Sequence, residues 1–394
     1  MFRYLLVLIL SALSLLALPG AATARPAWHT DFALASPRTL FGPAYTPAQI
    51  RTAYDFTPLY ARHVDGTGQT VALLEIDGFH MSDIRAFDKR YGLADPHITV
   101  TRMGGSFTLP VQGETTMDIE WLHALAPGAA IRVYDINPRA SDAAGWKAMT
   151  GAIRRAVAAG AGTVSISLGT CGPDKNSTIF SSELAKAMTA GVSVFVSSGD
   201  TGDLPGPVRD CGHKLRVGYP AGDPSVTAVG GTSLDLNADA TISSEMAWAG
   251  SGGGRAALRR PVWQTVSTLP ADGHRWAPDV SFLGDPNTGV AITLKGHVRQ
   301  AGGTSLGAPA WAATWALIRQ AAGLDGVTVP ASPLILYRVA GSPADASAFH
   351  DITVGTNGRY LAGPGWDAVT GWGTPDVAQL EAAIEATLKA PSAP

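Results

Sequence analysis

Charged residues are scarce in this chain, and their scarcity argues against two classes of protein. Only 15% of the 394 residues are charged, and 29 basic against 32 acidic side chains give a formal net charge of −3. No basic stripe stands out, so nucleic acid is not expected as a partner. Hydrophobic residues make up 46% of the chain, which is too high for an intrinsically disordered protein. The sequence therefore indicates a globular protein with a large core.

A long apolar run occurs only at the N-terminus. Arg3 supplies a positive charge, Leu5–Leu18 is apolar apart from two serines, and Ala22-Thr23-Ala24 is a cleavage sequence of small residues. We predict that residues 1–24 are a signal peptide. The alternative, a single-pass anchor, is disfavoured because the run is short for a bilayer. We therefore expect a secreted or periplasmic protein with no membrane partner after signal removal.

Cysteine is almost absent. The chain contains only Cys171 and Cys211, and neither belongs to a C-x-x-C motif or a Cys/His zinc spacing. A structural zinc site is therefore not expected. Export would permit a disulfide between the two cysteines, and an even count is compatible with one. The alternative is a pair of buried thiols.

Short apolar runs alternate with helical stretches along the first half of the chain. This alternation predicts an α/β fold in which a parallel central sheet carries helices on both faces. We expect a short irregular tail at 25–44, one domain at 45–388 and a C-terminal tail at 389–394. The predicted strands are Thr70–Ile76, Ala130–Ile136, Gly162–Leu168 and Val192–Ser197, and the predicted helices are Glu114–Leu125, Ser141–Ala159, Ser182–Ala190 and Ser305–Ala322.

A candidate nucleophile lies at the start of the last of these helices. Ser305 follows Gly302, Gly303 and Thr304, and glycines permit close approach of the backbone. Free N–H groups at a helix start can face a developing negative charge. Ser305 is therefore a candidate nucleophile, although a helix-capping serine is the alternative.

A serine nucleophile needs a base, and the histidines do not offer an evident one. None of the nine occurs in an H-G-T-H motif, and His123 is a single histidine within a predicted helix. Glu114 and Asp118 are four residues apart and share a helix face. Neighbouring carboxylates disfavour double ionisation, so one pKa should rise, which suits acid–base chemistry at low pH. The alternative is a pair of solvated acids near a helix N-terminus.

Two further acidic positions are candidates. Asp200 follows an apolar strand, where a protonated carboxyl could donate to an oxyanion, although an Asx-turn is the alternative. Asp351-Ile352 and Gly363–Asp367 combine carboxylates with glycine-rich backbone, which suits Ca²⁺, although a simple turn is the alternative.

Together these motifs resemble the sedolisins, the serine-carboxyl peptidases with a subtilisin-like fold. The resemblance spans about residues 45–385, and its motifs occur in the family's order. It is carried by Tyr45–Arg51, Gly113–Glu120, Ala126–Ala129, Ser165–Gly169, Ser198–Gly202, Pro278–Ser281 with Asp285-Pro286, and Gly303–Ser305 with Pro309.

The resemblance implies a role for each catalytic candidate. Ser305 would attack the scissile carbonyl, and Glu114 would be general base and then general acid. Asp118 would orient Glu114 and share its proton. A protonated Asp200 would stabilise the oxyanion. Substrate would pair with Ser167, Leu168 and Gly169.

The family also implies a C-terminal calcium-binding loop region that holds one Ca²⁺. The side chains of Asp351 and Asp367 and the carbonyls of Ile352, Gly363 and Gly365 match its ligands.

Sedolisins usually carry a sizeable prosegment, whereas the predicted leader and domain are separated here only by residues 25–44. We therefore expect no full-size prosegment.

The sequence thus predicts a secreted, monomeric acid endopeptidase that acts on protein or peptide substrates. One alternative is a tripeptidyl-peptidase-type exopeptidase on the same fold. A second is a subtilisin-type protease with a histidine base, for which Asp77-Gly78 would supply the aspartate. A third is a non-catalytic, Ca²⁺-dependent peptide-binding protein.

Overall fold

The computed structural model describes residues 28–30, 32–35, 44–137, 142–173, 177–203 and 217–390. The signal peptide predicted at 1–24 lies outside these residues, and so does Cys211. The signal peptide and the Cys171–Cys211 pairing therefore stay predictions.

The elements follow one another as strands and helices in alternation. The helices are α1 (Pro47–Ala53), α2 (Thr57–Ala61), α3 (Met81–Tyr91), α4 (Glu114–Leu125), α5 (Asp142–Ala158), α6 (Thr178–Thr189), α7 (Thr304–Leu324), α8 (Ser332–Ala340) and α9 (Val377–Lys389), with 3-10 turns at Pro286–Thr288 and Pro343–Ala348. The strands are β1 (His29–Thr30), β2 (Ala33–Leu34), β3 (Thr70–Glu75), β4 (Ile98–Met103), β5 (Ala130–Ile136), β6 (Thr163–Ile166), β7 (Leu168–Gly169), β8 (Ser193–Ser197), β9 (Thr227–Leu236), β10 (Ile242–Ala247), β11 (Gly254–Arg259), β12 (His274–Ala277), β13 (Val280–Leu283), β14 (Val290–Leu294), β15 (His297–Gly302), β16 (Phe349–His350) and β17 (Thr374–Pro375).

The predicted parallel sheet is confirmed. Within the described residues its order is β10-β9-β8-β6-β3-β5-β4, and β13 also pairs with β9. All of these pairings are parallel except β10 with β9. The carboxyl ends of β3, β6 and β8 therefore open on one edge, where α/β sheets gather their functional residues.

Helices cover both faces of the sheet. Along β3, Val71 and Leu73 belong to the core under α4 and α7, whereas Ala72 and Leu74 belong to the core under α5 and α6. Successive side chains of a strand point to opposite faces, so a strand covered on both sides is apolar at every position. Among the described helices, none combines the length and apolarity needed to cross a membrane.

Two expectations from the sequence differ from the structure. The tail expected to be irregular contains β1, which pairs with β7, and β2, which pairs with β15. The strand predicted over Gly162–Leu168 ends at Ile166 and resumes as β7. Ser167 interrupts it because both its hydroxyl and its carbonyl are turned towards the neighbouring helices.

Candidate active site

The two helices that carry the predicted catalytic residues both begin after a glycine with positive φ. Gly113 (φ 130°) precedes α4, and Gly303 (φ 116°) precedes α7. Glycine adopts this region readily because it has no Cβ. The sharp turns place Glu114 and Ser305 in the first turns of their helices, where backbone N–H groups lack partners within the helix.

Asp77 holds the start of α4 in place. Its carboxylate follows the end of β3 and accepts hydrogen bonds from the backbone N–H groups of Gln112, Gly113 and Glu114 at 2.9–3.1 Å. An acidic side chain at a helix N-terminus is favourable because it pairs with these donors. Asp77 thus positions Glu114, so the role considered for it in the histidine-based alternative has no support here.

Asp118 and Ser305 are brought together through Ser167. The Ser167 hydroxyl donates to Oδ2 of Asp118 at 2.5 Å and also lies 3.2 Å from the Ser305 carbonyl oxygen. In turn, Oγ of Ser305 donates to the Ser167 carbonyl oxygen at 3.5 Å. Glu114 hydrogen-bonds to the carboxyl of Asp118 from the same helix. The predicted nucleophile and both predicted acids are therefore linked by one chain of contacts where β6 ends.

A third carboxyl that sequence reasoning missed joins this group. Glu75, the last residue of β3, is buried and hydrogen-bonds to Asp118. Its Oε2 also accepts from the Thr115 hydroxyl at 3.1 Å. An acidic residue at the end of an otherwise apolar predicted strand was the one signal that could have pointed to it, because a fully buried Glu is rare without a partner.

Burial dominates the electrostatics of the carboxyl cluster. Desolvation raises the pKa of Asp118 to about 7, against the lowering effect of hydrogen bonds from Ser167, Glu75 and Glu114. Desolvation and the neighbouring Asp118 raise the pKa of Glu75 well above its usual range. Glu75 is thus the proton-bearing partner of this pair. The site holds carboxyls that still carry protons near neutral pH, which a carboxyl acting in proton transfer requires.

Asp200 lies at the N-terminus of α7, beside the predicted nucleophile. Its Oδ1 accepts from the backbone N–H of Thr304 at 2.7 Å and from the Thr304 hydroxyl at 2.9 Å. The backbone N–H of Gly199 donates to that hydroxyl at 3.0 Å. Thr304, which the sequence did not single out, therefore ties the Asp200 loop to the helix that carries Ser305.

His123 is remote from this group. It lies nine residues after Glu114 on α4, about 13 Å along the helix axis. The ring is buried, its Nε2 is 2.8 Å from the Ala94 carbonyl oxygen, and burial lowers its pKa. His123 is therefore a structural residue, and it offers no base for Ser305.

The residues predicted to bind substrate have two different environments. Ser167 faces Asp118 and Ser305, as described above. Leu168 and Gly169 form β7, which pairs antiparallel with His29 and Thr30 of the chain's own N-terminal region. The strand edge predicted to bind substrate is thus already paired with an extended part of the chain itself.

The residues predicted to bind Ca²⁺ come from two segments that meet. Asp351 Oδ2 accepts from the Gly365 backbone N–H at 2.9 Å, and both residues border a cavity of about 150 Å³. Asp367 is buried and accepts from the N–H groups of Val369 and Thr370 at 2.7 and 2.9 Å. Within the described chain, no cluster of three or more His, Cys, Asp or Glu side chains suits a metal. Two carboxylates with glycine-loop carbonyls nevertheless fit the oxygen preference of Ca²⁺.

Comparisons with known proteins agree with this fold. The subtilase family model matches residues 111–373. Kumamolisin from Bacillus sp. (strain MN-32) is 34% identical over 364 residues, which cover 84% of this chain and 62% of kumamolisin. Tripeptidyl-peptidase 1 from Rattus norvegicus is 27% identical over 376 residues, which cover 85% of this chain and 63% of that protein. The chain thus spans about three fifths of the length of these curated relatives.

A solved structure extends the comparison to three dimensions. Pseudomonas sedolisin, a serine-carboxyl proteinase complexed with two molecules of pseudo-iodotyrostatin, matches with a TM-score of 0.75 and 30% identity. The match covers 88% of this chain and 99% of the sedolisin chain. The chain therefore belongs to the subtilase family and, within it, to the sedolisins.

Proposed function

We propose that this protein is a serine-carboxyl peptidase that hydrolyses peptide bonds of proteins or peptides at acidic pH. The observation that carries the proposal is the chain of contacts from Glu114 through Asp118 and Ser167 to Ser305. These residues come from α4, α7 and the connection between β6 and β7, and the chain of contacts ends in the first turn of α7, where backbone N–H groups lack partners within the helix.

In the proposed mechanism, Ser305 is the nucleophile. Its Oγ attacks the scissile carbonyl carbon, and its proton passes to Glu114. Asp118 shares the proton and keeps Glu114 oriented. Glu114 then returns the proton to the amine that leaves when the C–N bond breaks, which forms an acyl-enzyme. Water repeats the sequence and releases the acid product.

Asp200 is proposed to stabilise the tetrahedral oxyanion together with the Ser305 backbone N–H. Because Oδ1 of Asp200 accepts two hydrogen bonds from Thr304, a proton on this carboxyl belongs on Oδ2. A protonated carboxyl can donate a hydrogen bond, whereas a carboxylate cannot. This role also requires acidic conditions.

The path of the chain's own N-terminal region favours an endopeptidase over a tripeptidyl-peptidase. β1 pairs with β7 on one side of Ser305, and β2 pairs with Ala301 and Gly302 on the other. An extended peptide can therefore run past the nucleophile in both directions. An exopeptidase needs a barrier close to the nucleophile on one side.

Two further properties are proposed together with the activity. Residues 1–24 would direct export and be removed. One Ca²⁺ would be held by Asp351, Asp367 and the carbonyls of Ile352, Gly363 and Gly365. The ion would stabilise the C-terminal loops and would take no part in bond cleavage.

The test is digestion of a denatured protein between pH 3 and 7. We expect cleavage with an acidic optimum, and we expect Ser305→Ala and Glu114→Gln to abolish it. Ser165→Ala is the matched control, because this buried serine on β6 has no hydrogen-bond partner for its hydroxyl among the described residues. Undiminished cleavage by Ser305→Ala would disprove the proposal, and absence of cleavage by the parent chain would favour the non-catalytic alternative.

A further inference from the structure

Three loops meet next to Asp200, and one buried residue contacts the other two from the third. Residues 198–203, which follow β8, are the Asp200 loop, and residues 250–253, which precede β11, are here called the glycine turn. The third loop is the turn between Thr356 and Leu361, which pair with each other. Asn357 lies in this turn and is only 3% exposed. Its amide is therefore shielded from water although it belongs to a turn.

The Asp200 loop and the glycine turn are joined on both sides of Asp200. Before Asp200, the Gly199 carbonyl oxygen accepts from the Gly252 backbone N–H at 2.7 Å. After it, the Gly202 backbone N–H donates to the Gly250 carbonyl oxygen at 2.9 Å. Because the two bonds flank Asp200, the position of the glycine turn sets the position of the backbone that carries this carboxyl.

Asn357 contacts both of these loops. Its Nδ2 donates to the carbonyl oxygen of Ser251, within the glycine turn, at 3.1 Å. Its backbone carbonyl oxygen accepts from the N–H of Asp203, within the Asp200 loop, at 3.0 Å. Its Oδ1 accepts from the Tyr360 N–H at 3.1 Å. The amide thus fixes the turn from which the Asn357 carbonyl meets Asp203.

Glycines allow these loops to touch backbone to backbone. A Cβ on Gly202, whose φ is 64°, would lie 2.6 Å from the carbonyl oxygens of Ala249 and Asn357. A Cβ on Gly252 would lie 2.2 Å from the Ser198 carbonyl oxygen. Both distances are shorter than a carbon–oxygen contact permits. Since no side chain separates the backbones, a displacement of Asn357 passes directly to the Asp200 loop.

We propose that Asn357 is a positioning residue that holds Asp200 where it can stabilise the oxyanion. This inference rests on the proposed peptidase function and deepens it. Thr304 fixes the carboxyl of Asp200 at the start of α7, while Asn357 and the glycine turn fix the backbone that carries it. Oxyanion stabilisation depends on groups that are in place before the reaction, and a misplacement of about 1 Å can slow catalysis about 100-fold.

The test measures kcat and KM for one fluorogenic peptide at pH 4, well below the melting temperature of each variant. In Asn357→Ala we expect kcat to fall about 10- to 100-fold. KM should change less than about threefold, because the oxyanion is present only in the transition state and the intermediate. A general loosening of the fold would instead lower the melting temperature and leave kcat of the folded enzyme near the parental value.

Gln320→Ala is the matched control. Like the amide of Asn357, the Gln320 amide bonds only to backbone groups, those of His63, Asp65 and Gly66. Gln320 lies fifteen residues after Ser305 on α7, about 22 Å along the helix axis. The control should lower the melting temperature and leave kcat unchanged.

A double-mutant cycle with Asp200→Ala decides whether Asn357 acts through Asp200. Loss of one oxyanion donor should leave a measurable rate, reduced about 100- to 1000-fold. In that background, Asn357→Ala should lower kcat less than about threefold, because no carboxyl remains to be positioned. A loss through any other route would lower kcat by the same factor in both backgrounds.

Gly202→Ala breaks the same contact from the opposite side. The added methyl group would displace the Asn357 carbonyl, so this variant should show the same loss of kcat and the same dependence on Asp200. Gly92→Ala is its control. Gly92 ends α3 with a similar φ of 69°, and a Cβ there would meet nothing within 4 Å. It should carry the same backbone strain and keep the parental kcat.

The possible failures are distinguishable. If the parent chain cleaves neither peptides nor denatured protein, the peptidase assignment is wrong and this inference fails with it. If the parent chain is active but Asn357→Ala and Gly202→Ala keep its kcat, only the positioning role is wrong. The same conclusion follows if Asn357→Ala is equally harmful in the Asp200→Ala background, or if Gln320→Ala lowers kcat as much.

Discussion

The Ser167 hydroxyl donates a hydrogen bond to Oδ2 of Asp118 at 2.5 Å, while the Ser167 carbonyl accepts one from Oγ of Ser305 at 3.5 Å. One residue therefore contacts both the acid of α4 and the hydroxyl of α7. A residue expected to bind substrate also positions the catalytic groups. This dual contact explains why strand β6 is interrupted at Ser167 before β7 begins.

Loss of the Ser167 hydroxyl should change the pH profile. Its hydrogen bond lowers the pKa of Asp118 against the effect of burial. In Ser167→Ala the pKa of Asp118 should rise, so the alkaline limb of kcat/KM, where this carboxyl loses its proton, should move to higher pH. The maximum should fall about 10- to 100-fold, as for a hydrogen bond to a charged group. Ser165→Ala should change neither quantity, and an unaltered profile in Ser167→Ala would contradict this role.

Glu75 should act as a hydrogen-bond donor to Asp118. Its raised pKa keeps it protonated at acidic pH, and glutamine can donate from the same position. We expect Glu75→Gln to retain kcat/KM within a few-fold, whereas Glu75→Leu should lose about 10- to 100-fold. Steady-state rates at pH 4 and melting temperatures check this. Equal losses in both variants would show that activity does not depend on a hydrogen-bond donor at position 75.

Folding stability should increase as the pH falls from about 7.5 to about 4.5. Burial raises the pKa values of Glu75, Asp118, Glu120 and Glu245, so the folded state binds their protons more tightly than the unfolded state does. Their ionisation therefore destabilises the fold as the pH rises above the unfolded values, near 4. Thermal melts of Ser305→Ala, which avoids self-digestion, provide the measurement.

His123, whose pKa is lowered by burial, opposes this trend below its unfolded value, but it is one group against four. Glu183 also opposes the trend, but only at lower pH. Hydrogen bonds from Arg154 and Lys186 lower the pKa of Glu183 to about 2. The stability that it contributes is present above its unfolded pKa and is lost as the pH falls below about 4.5. A melting temperature that rises from pH 4.5 to pH 7.5 would contradict the prediction.

Calcium removal should lower the melting temperature by several degrees, because an ion bound only to the folded state stabilises it by mass action. Asp351→Ala should melt at the lower temperature and should no longer respond to a chelator or to added Ca²⁺. Asp239→Ala, which removes an exposed aspartate whose carboxylate accepts hydrogen bonds from Thr241, should keep the response. A parent chain that is insensitive to chelator would rule out the site.

Local patterns were enough to predict much of the sheet and the acidic helix. The helix predicted over Glu114–Leu125 has those bounds in the structure, and the four-residue spacing of Glu114 and Asp118 brings them into contact. Short apolar runs predicted β3, β5 and β8 to within one residue at each end. These features depend on residues close in sequence, where helical and strand periodicity is visible.

Contacts between distant residues could not be predicted in this way. Ser167 is 49 residues from Asp118, and Thr304 is 104 residues from Asp200. Nothing near Thr304 or Glu75 in the sequence indicates these partners. The strands between 227 and 302 were also missed, because their pairing is set by neighbours in space more than by intrinsic propensity.

The chemical types available for the reaction, the α/β class and the helix that carries two acids all follow from the order of the amino acids. Each depends on residue identity or on short-range periodicity. Three relationships arise only in the folded molecule: Glu75 joins Asp118, Asp77 caps α4 rather than serving a histidine, and His29 and Thr30 pair with the predicted substrate edge. Those relationships exist because packing of the sheet and helices brings remote side chains into one buried, water-poor place, where their hydrogen bonds and pKa values are set.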